Sequence, residues 1–159
     1  MRVGIGHDTH RLAPDRPLFL GGVQIDHPRG LAGHSDADVV LHAVTDALLG
    51  AAGLGDIGDL YPDTDPAYRG ADSAVFVRET LERLNREGWR VVNLDVIIFA
   101  EEPKLGPAKE EIRSKLAQLL ALPVQAVNVK AKTGEKVGAI GRAEAIACQA
   151  VVLIDQKGR

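Results

Sequence analysis

Asp8 and His10 stand two apart in a stretch that reads as a strand, so both side chains leave the same face. A hard carboxylate oxygen and an imidazole make a suitable zinc pair. Gly4 and Gly6 share that face and leave room for something to approach closely. His42 lies in the first predicted helix, four residues after Asp38 and four before Asp46. Either carboxylate is placed to orient its ring, although the same spacing also describes an ordinary solvated helix face. Together Asp8, His10 and His42 supply three ligands and leave a fourth tetrahedral position open, the arrangement of a catalytic rather than a structural zinc.

Other residues suit phosphate chemistry. Ser35 reads as an N-cap, and a helix N-terminus with His34 beside it also suits a bound phosphate. The segments Gly55-Asp56-Ile57-Gly58 and Tyr61 to Asp65 place Asp56, Asp63 and Asp65 among turn residues. That is turn chemistry by itself, but such loops also carry specificity, and these acids can accept hydrogen bonds from substrate hydroxyls. In Lys130 to Lys136, strand parity sets Ala131 and Thr133 on one face, followed by Glu135. A small residue, a hydroxyl and a carboxylate suit a base and a phosphate-bound divalent ion; a plain charged strand end is the simpler alternative.

These residues need rigid elements to hold them. Met1 to Arg11 and Pro17 to Ile25 read as strands, with Ala13-Pro14-Asp15 as a turn. Ser35-Asp36-Ala37-Asp38 opens a helix in the manner of a capping box, with an apolar face running to Gly53. Residues 53–72 read as loop, and a second helix follows Ser73 and stops at Gly88. A strand from Trp89 to Ala100, a helix between Pro107 and Pro123, and strands at 126–133 and 143–154 complete an order ββααβαββ. In the strands around Val96–Phe99 and Ala145–Ile154, apolar residues occupy both faces rather than alternating. Such strands are covered on both sides. Helices cover one face of this α/β (α+β) mixed sheet, and a second copy of the chain is the economical cover for the other.

Composition narrows the function classes. The chain has 159 residues, about one domain's length, and 45% of them are hydrophobic. Nineteen basic against 22 acidic side chains leave a net charge of −3, which argues against partners held by a basic field, such as nucleic acid or a membrane surface. Aromatics are only 4%, a poor basis for a base-stacking platform, and a single cysteine excludes an internal disulfide. Neither a span-length apolar run nor a signal-like N-terminus is present, so a cytoplasmic protein is expected. Cys148, in the run Ile146-Ala147-Cys148, reads as a small buried hydrophobe.

Several motifs resemble one family closely. Gly6-His7-Asp8-Thr9-His10, Leu20-Gly21-Gly22-Val23, His34-Ser35-Asp36-Ala37-Asp38-Val39-Val40-Leu41-His42-Ala43, Gly55-Asp56-Ile57-Gly58, Pro62-Asp63-Thr64-Asp65-Pro66, Asn128-Val129-Lys130-Ala131, Glu135-Lys136 and Gly141-Arg142 are similar to the 2-C-methyl-D-erythritol 2,4-cyclodiphosphate synthases. The matches are collinear over nearly the whole chain, which implies a single synthase domain over 1–159. The resemblance implies closure of 4-diphosphocytidyl-2-C-methyl-D-erythritol 2-phosphate to a cyclic diphosphate with release of CMP, a phosphorus–oxygen lyase of the non-mevalonate isoprenoid pathway.

The same resemblance assigns roles. It implies zinc on Asp8, His10 and His42, a second divalent ion (Mg²⁺ or Mn²⁺) on Glu135, and transition-state donors at His34 and Thr133. Ser35, Asp56, Ile57, Gly58, Tyr61, Asp63 and Asp65 would line the erythritol part. Ala100, Lys104, Leu105, Gly106, Ala131, Lys132 and Thr133 would hold the cytidine. It further implies a homotrimer with active sites between subunits and a central cavity near Ala139 and Arg142, where Ala139 departs from the aromatic common in relatives. Lys132 and Gly134 depart from threonines. A zinc-dependent phosphohydrolase and a non-enzymatic trimeric ligand-binding module are the competing readings of the same residues.

Overall fold

The computed structural model describes residues 1–62, 64–156 and 158. Its strands are β1 (Arg2–Pro14), β2 (Leu18–Leu20), β3 (Val23–Ile25), β4 (Arg29–Leu31), β5 (Trp89–Phe99), β6 (Val127–Lys132) and β7 (Ala145–Gln156). Its helices are α1 (Val39–Ala52), α2 (Ile57–Leu60), α3 (Ala74–Arg86), α4 (Lys109–Leu119) and α5 (Gly138–Gly141). The main sheet runs β4-β1-β7-β5-β6, and β2 with β3 forms a separate hairpin. β5 and β6 are parallel, as a connection through α4 requires, and the other neighbours are antiparallel.

Gly4 and Gly6 make room for a helix, not for a ligand. A Cβ on Gly4 would lie 1.9 Å from the Ala47 carbonyl oxygen, and one on Gly6 would lie 1.9 Å from that of Ala43. α1 therefore rests directly on β1 through Ala43, Ala47 and Ala51, with no side chain between the backbones. Because Gly4 meets Ala47 and Ala51 while Gly6 meets Ala43 and Ala47, the helix runs opposite to the strand. Its first turns arrive beside the next inward positions of β1, which are Asp8 and His10.

The start of α1 is held by Asp38, and the capping reading of Ser35 is corrected accordingly. Asp38 Oδ1 accepts the backbone N–H groups of Val40 and Leu41 at 3.1 Å each. Oδ1 and Oδ2 also accept from Gly21 and Gly22, at 2.8 and 2.7 Å. Both glycines have left-handed backbone (φ 64° and 77°), as a tight turn between short strands requires. One buried carboxylate thus fastens the β2–β3 turn to the helix. Burial pushes its pKa up, against the opposing pull of the Gly22, Gly21 and Leu41 N–H groups.

Other boundaries differ from expectation. The predicted strand over 17–25 is the small hairpin, folded at Gly21-Gly22, and β4 is a further short edge strand. The stretch read as loop contains α2, capped reciprocally by Asp56 and Asp59. The inward face of the main sheet is fully covered, with Leu94, Val96, Ile98, Ile146, Cys148, Ala150, Val152 and Ile154 all buried. The outward face is left open by the described residues: Val3 is 67% exposed, Ile5 61% and Val151 39%. Cys148 is buried as expected, and burial pushes its thiol pKa up.

Candidate metal and phosphate site

Strand β1 and helix α1 bring three side chains to one point. Asp8 Oδ2 lies 2.9 Å from His10 Nε2 and 2.9 Å from His42 Nδ1, and the two ring nitrogens are 3.1 Å apart. His10 Nδ1 is 2.8 Å from the Ala32 carbonyl. A carbonyl only accepts, so Nδ1 carries the proton and Nε2 turns its lone pair toward Asp8 and His42. A carboxylate and imidazole lone pairs facing one another at such distances are reconciled only by positive charge between them, as protons or as a metal ion. One carboxylate with two imidazoles is a donor set that fits a divalent ion such as zinc. The electrostatics agree. Burial by itself disfavours the Asp8 carboxylate, but the hydrogen bonds and charges of His10 and His42 outweigh it and hold its pKa well below the usual range. Burial likewise disfavours charge on His10, yet Asp8 and the Ala32 carbonyl raise its pKa above that of an ordinary histidine.

Neither Asp38 nor Asp46 touches the His42 ring. Asp38 is committed to backbone N–H groups, and Asp46 Oδ1 accepts from the Ile57 N–H at 2.8 Å, tying α2 to α1. His42 Nε2 instead meets Ser73 Oγ at 2.9 Å and Ser35 Oγ at 3.2 Å. Ser73 Oγ in turn donates to Asp36. Ser73 and Asp36 were not foreseen as site residues. Their only sequence signal was position, Ser73 just before a helix and Asp36 within the motif that ends at His42.

The trio opens into a cavity of about 450 Å³ lined also by His34, Ser35, Ile57, Gly58 and Tyr61, all expected there, together with His7, Asp46, Pro62, Tyr68 and Phe76. Tyr61, Tyr68 and Phe76 form an aromatic wall, with Tyr61 and Phe76 ring centroids 4.7 Å apart. Burial raises the Tyr61 pKa, so the phenol stays protonated. Arg16 braces the approach by donating to the Gly33 and Ser35 carbonyls at 3.2 and 3.1 Å. His34 Nε2 donates to the Asp65 carbonyl at 3.1 Å. Asp56 and Asp65 stand outside the lining, where their carboxylates accept from Asp59 and Ala67 N–H groups. The expectation for Asp63 falls outside the described residues.

A second cavity of about 310 Å³ brings together Ala100, Lys104, Leu105, Gly106, Ala131, Lys132 and Thr133, with Lys109 added. Thr133 Oγ1 donates to Glu135 Oε1 at 2.8 Å, so the hydroxyl and the carboxylate expected to hold an ion are adjacent. Among the described residues the two cavities share no lining residue. Thr9, Ala147, Phe99 and Lys132 stand opposite one another across the sheet, so β1 and β6 are three strand spacings apart, about 14 Å. Ala139 is exposed on α5, and Arg142 is paired with Glu144 at 2.8 Å.

Fold and site define a class: a mixed α/β domain with a carboxylate–imidazole cluster whose donor set fits a divalent ion, opening on a cavity with one aromatic wall. The chain belongs to the YgbB family, whose model matches residues 1–155. It is 56% identical over 157 residues to 2-C-methyl-D-erythritol 2,4-cyclodiphosphate synthase of Bordetella pertussis, covering 99% of this chain and 97% of that protein. A solved structure of 2C-methyl-D-erythritol-2,4-cyclodiphosphate synthase, in a CDP-bound form, matches with TM-score 0.90 at 42% identity, over 97% of this chain and 100% of the other. The bifunctional IspDF from Campylobacter jejuni matches with TM-score 0.94 at 43% identity, over 98% of this chain and 42% of that longer one.

Proposed function

We propose that the chain is an enzyme of isoprenoid precursor synthesis that closes 4-diphosphocytidyl-2-C-methyl-D-erythritol 2-phosphate to 2-C-methyl-D-erythritol 2,4-cyclodiphosphate and CMP. The observation that carries this reading is the convergence of Asp8, His10 and His42 at the mouth of the larger cavity, in a chain whose relatives bear that synthase's name. In the reaction an oxygen of the 2-phosphate forms a bond to the β-phosphorus while the bond from that phosphorus to the α-phosphate oxygen breaks, and CMP leaves with the electron pair. The nucleophile is already an anion, so positioning and charge neutralisation dominate over general-base chemistry.

Asp8, His10 and His42 would hold zinc, and Glu135 a Mg²⁺ or Mn²⁺ ion. When bound, such ions polarise phosphorus and neutralise phosphate charge. The aromatic wall of Tyr61, Tyr68 and Phe76 excludes water behind the erythritol part. Ser35 in the cavity lining would donate to phosphate oxygens, His34 would do so on exchanging its bond to the Asp65 carbonyl for one to phosphate, and Lys104, Lys109 and Lys132 supply positive charge to the cytidine diphosphate in the second cavity. The separation of the two cavities and the open sheet face support a homotrimer in which each site joins the first cavity of one subunit to the second cavity of its neighbour. The whole of 1–159 serves as one synthase domain.

Incubating the protein with the cytidylated substrate, zinc and Mg²⁺ while following phosphorus by NMR tests the reading. Equimolar CMP and cyclic diphosphate are expected. Release of inorganic phosphate would instead mark a hydrolase, and turnover indifferent to chelation would set aside the metal.

A further inference from the structure

We infer that Ser73 and Asp36 are positioning residues that fix the tautomer and ring orientation of His42 for its metal ion. The direction of each hydrogen bond is forced. Ser73 Oγ has one proton, and it is given to the Asp36 carboxylate, which also accepts the Ser73 backbone N–H at 3.1 Å. The contact of 2.9 Å between Ser73 Oγ and His42 Nε2 therefore has the ring as donor. A neutral His42 with its proton on Nε2 presents its Nδ1 lone pair to the point shared with Asp8 and His10. His10 is set in the same way by the Ala32 carbonyl, but through the opposite nitrogen. Each ring thus aims one lone pair at the shared point, and each is held from behind by an acceptor.

The relay is built for this task. Ser73 has no exposed surface and sits where α3 begins, and Asp36 lies in the segment leading to α1, so the ring is gripped by elements 37 residues apart. Ser35 Oγ, 3.2 Å from both Ser73 Oγ and His42 Nε2, fills the remaining side. A carboxylate behind the chain of donors also increases the basicity of the ring nitrogen facing the metal, an effect whose loss commonly costs 10- to 100-fold in affinity.

This inference rests on the metal reading of the trio, so the test must separate the two. Zinc affinity is measured on the full chain by competition with a chelating dye, alongside the visible spectrum of the cobalt-loaded protein and the melting temperature of the metal-free protein. Ser73→Ala removes the hydroxyl and keeps the backbone N–H. It is expected to weaken zinc binding by roughly tenfold or more and to shift the cobalt bands. Asp36→Asn, which keeps a partner for Ser73 but loses the charge, is expected to lose less. If wild-type protein takes up no zinc, the metal reading itself fails. If wild type binds zinc and both variants match its affinity and cobalt spectrum, with only the metal-free melting temperature altered, the relay is structural and the inference is overturned.

Discussion

At the residue scale, the meeting of Asp8, His10 and His42 was legible because their spacing maps simply onto geometry. Two positions in a strand return to the same face, and a histidine in the following helix meets them once the helix lies across that strand. The groups behind His42 were not legible. Helical spacing proposed Asp38 and Asp46, yet Asp38 is drawn to the unpaired N–H groups at the start of α1, and Asp46 to Ile57. Ser73 reaches the ring only because residues 53–72 fold back, and nothing in local periodicity encodes that return. The charge arrangement of the trio makes a prediction about pH. In the metal-free protein His10 has a raised pKa, so its contribution to stability is full below the ordinary histidine value and is lost as pH rises through the raised one. Asp8, with a lowered pKa, contributes above the ordinary carboxylate value and fails only in strong acid. Zinc affinity must run the other way, rising with pH as the ligands shed protons. Melting curves between pH 6 and 8 are therefore expected to show falling stability for metal-free wild type relative to His10→Gln, while zinc titrations over the same window tighten. Parallel trends would mean the trio is not held together by shared protons in the absence of metal.

At the element scale, the long, strongly patterned pieces were readable and the short ones were not. β1, α1, α3, β5, α4, β6 and β7 follow from periodicity and punctuation, with ends shifted by a few residues. β4 and the four residues of α2 carry no period, and the hairpin at Gly21-Gly22 is set by Asp38 from outside its own sequence. Gly4 and Gly6 signalled close approach correctly but not by what. That contact sets where His42 sits, so it can be tested at a distance from the chemistry. Gly6→Ala would place a methyl 1.9 Å from the Ala43 carbonyl oxygen, forcing α1 off β1. A loss of about 1–3 kcal/mol is expected from overpacking, with zinc affinity falling as well because the helix carries His42. Gly50→Ala in the same helix would meet the Ile5 carbonyl oxygen only at 3.9 Å. It is expected to gain up to about 1 kcal/mol from helix propensity with zinc binding unchanged. Denaturant unfolding with a zinc titration on both variants decides the matter, and equal effects would remove the helix–strand contact as the device that places the site.

For the whole molecule, the uncovered outward sheet face and the two unconnected cavities describe one problem. Val3, Ile5 and Val151 leave apolar surface in water, and a site that uses both cavities in one chain would have to bridge about 14 Å across β7 and β5. Packing copies around the open face answers both, because it buries the apolar strands and brings a neighbour's second cavity toward the trio. The arrangement can be tested by mixing defects. His42→Ala disables only the metal half of a site, and Thr133→Ala only the cytidine half. Each variant alone is expected to be inactive in the CMP-release assay. Co-expressed with different tags and isolated as mixed oligomers, they must regenerate some intact sites if halves come from adjacent subunits. With equal and random mixing, the chance that an intact metal half meets an intact cytidine half is one half times one half. About a quarter of wild-type activity should therefore return in the unfractionated population, whatever the number of subunits in a closed ring, and about a third in mixed trimers, each of which has one intact site of three. If both halves belong to the same chain, every mixed assembly carries one defect per site and no activity returns. Sedimentation of the same samples supplies the control, since the third applies only to trimers that contain both tags. Recovery near a third in mixed trimers, and none in the separate variants, would locate each active site between two copies of the chain.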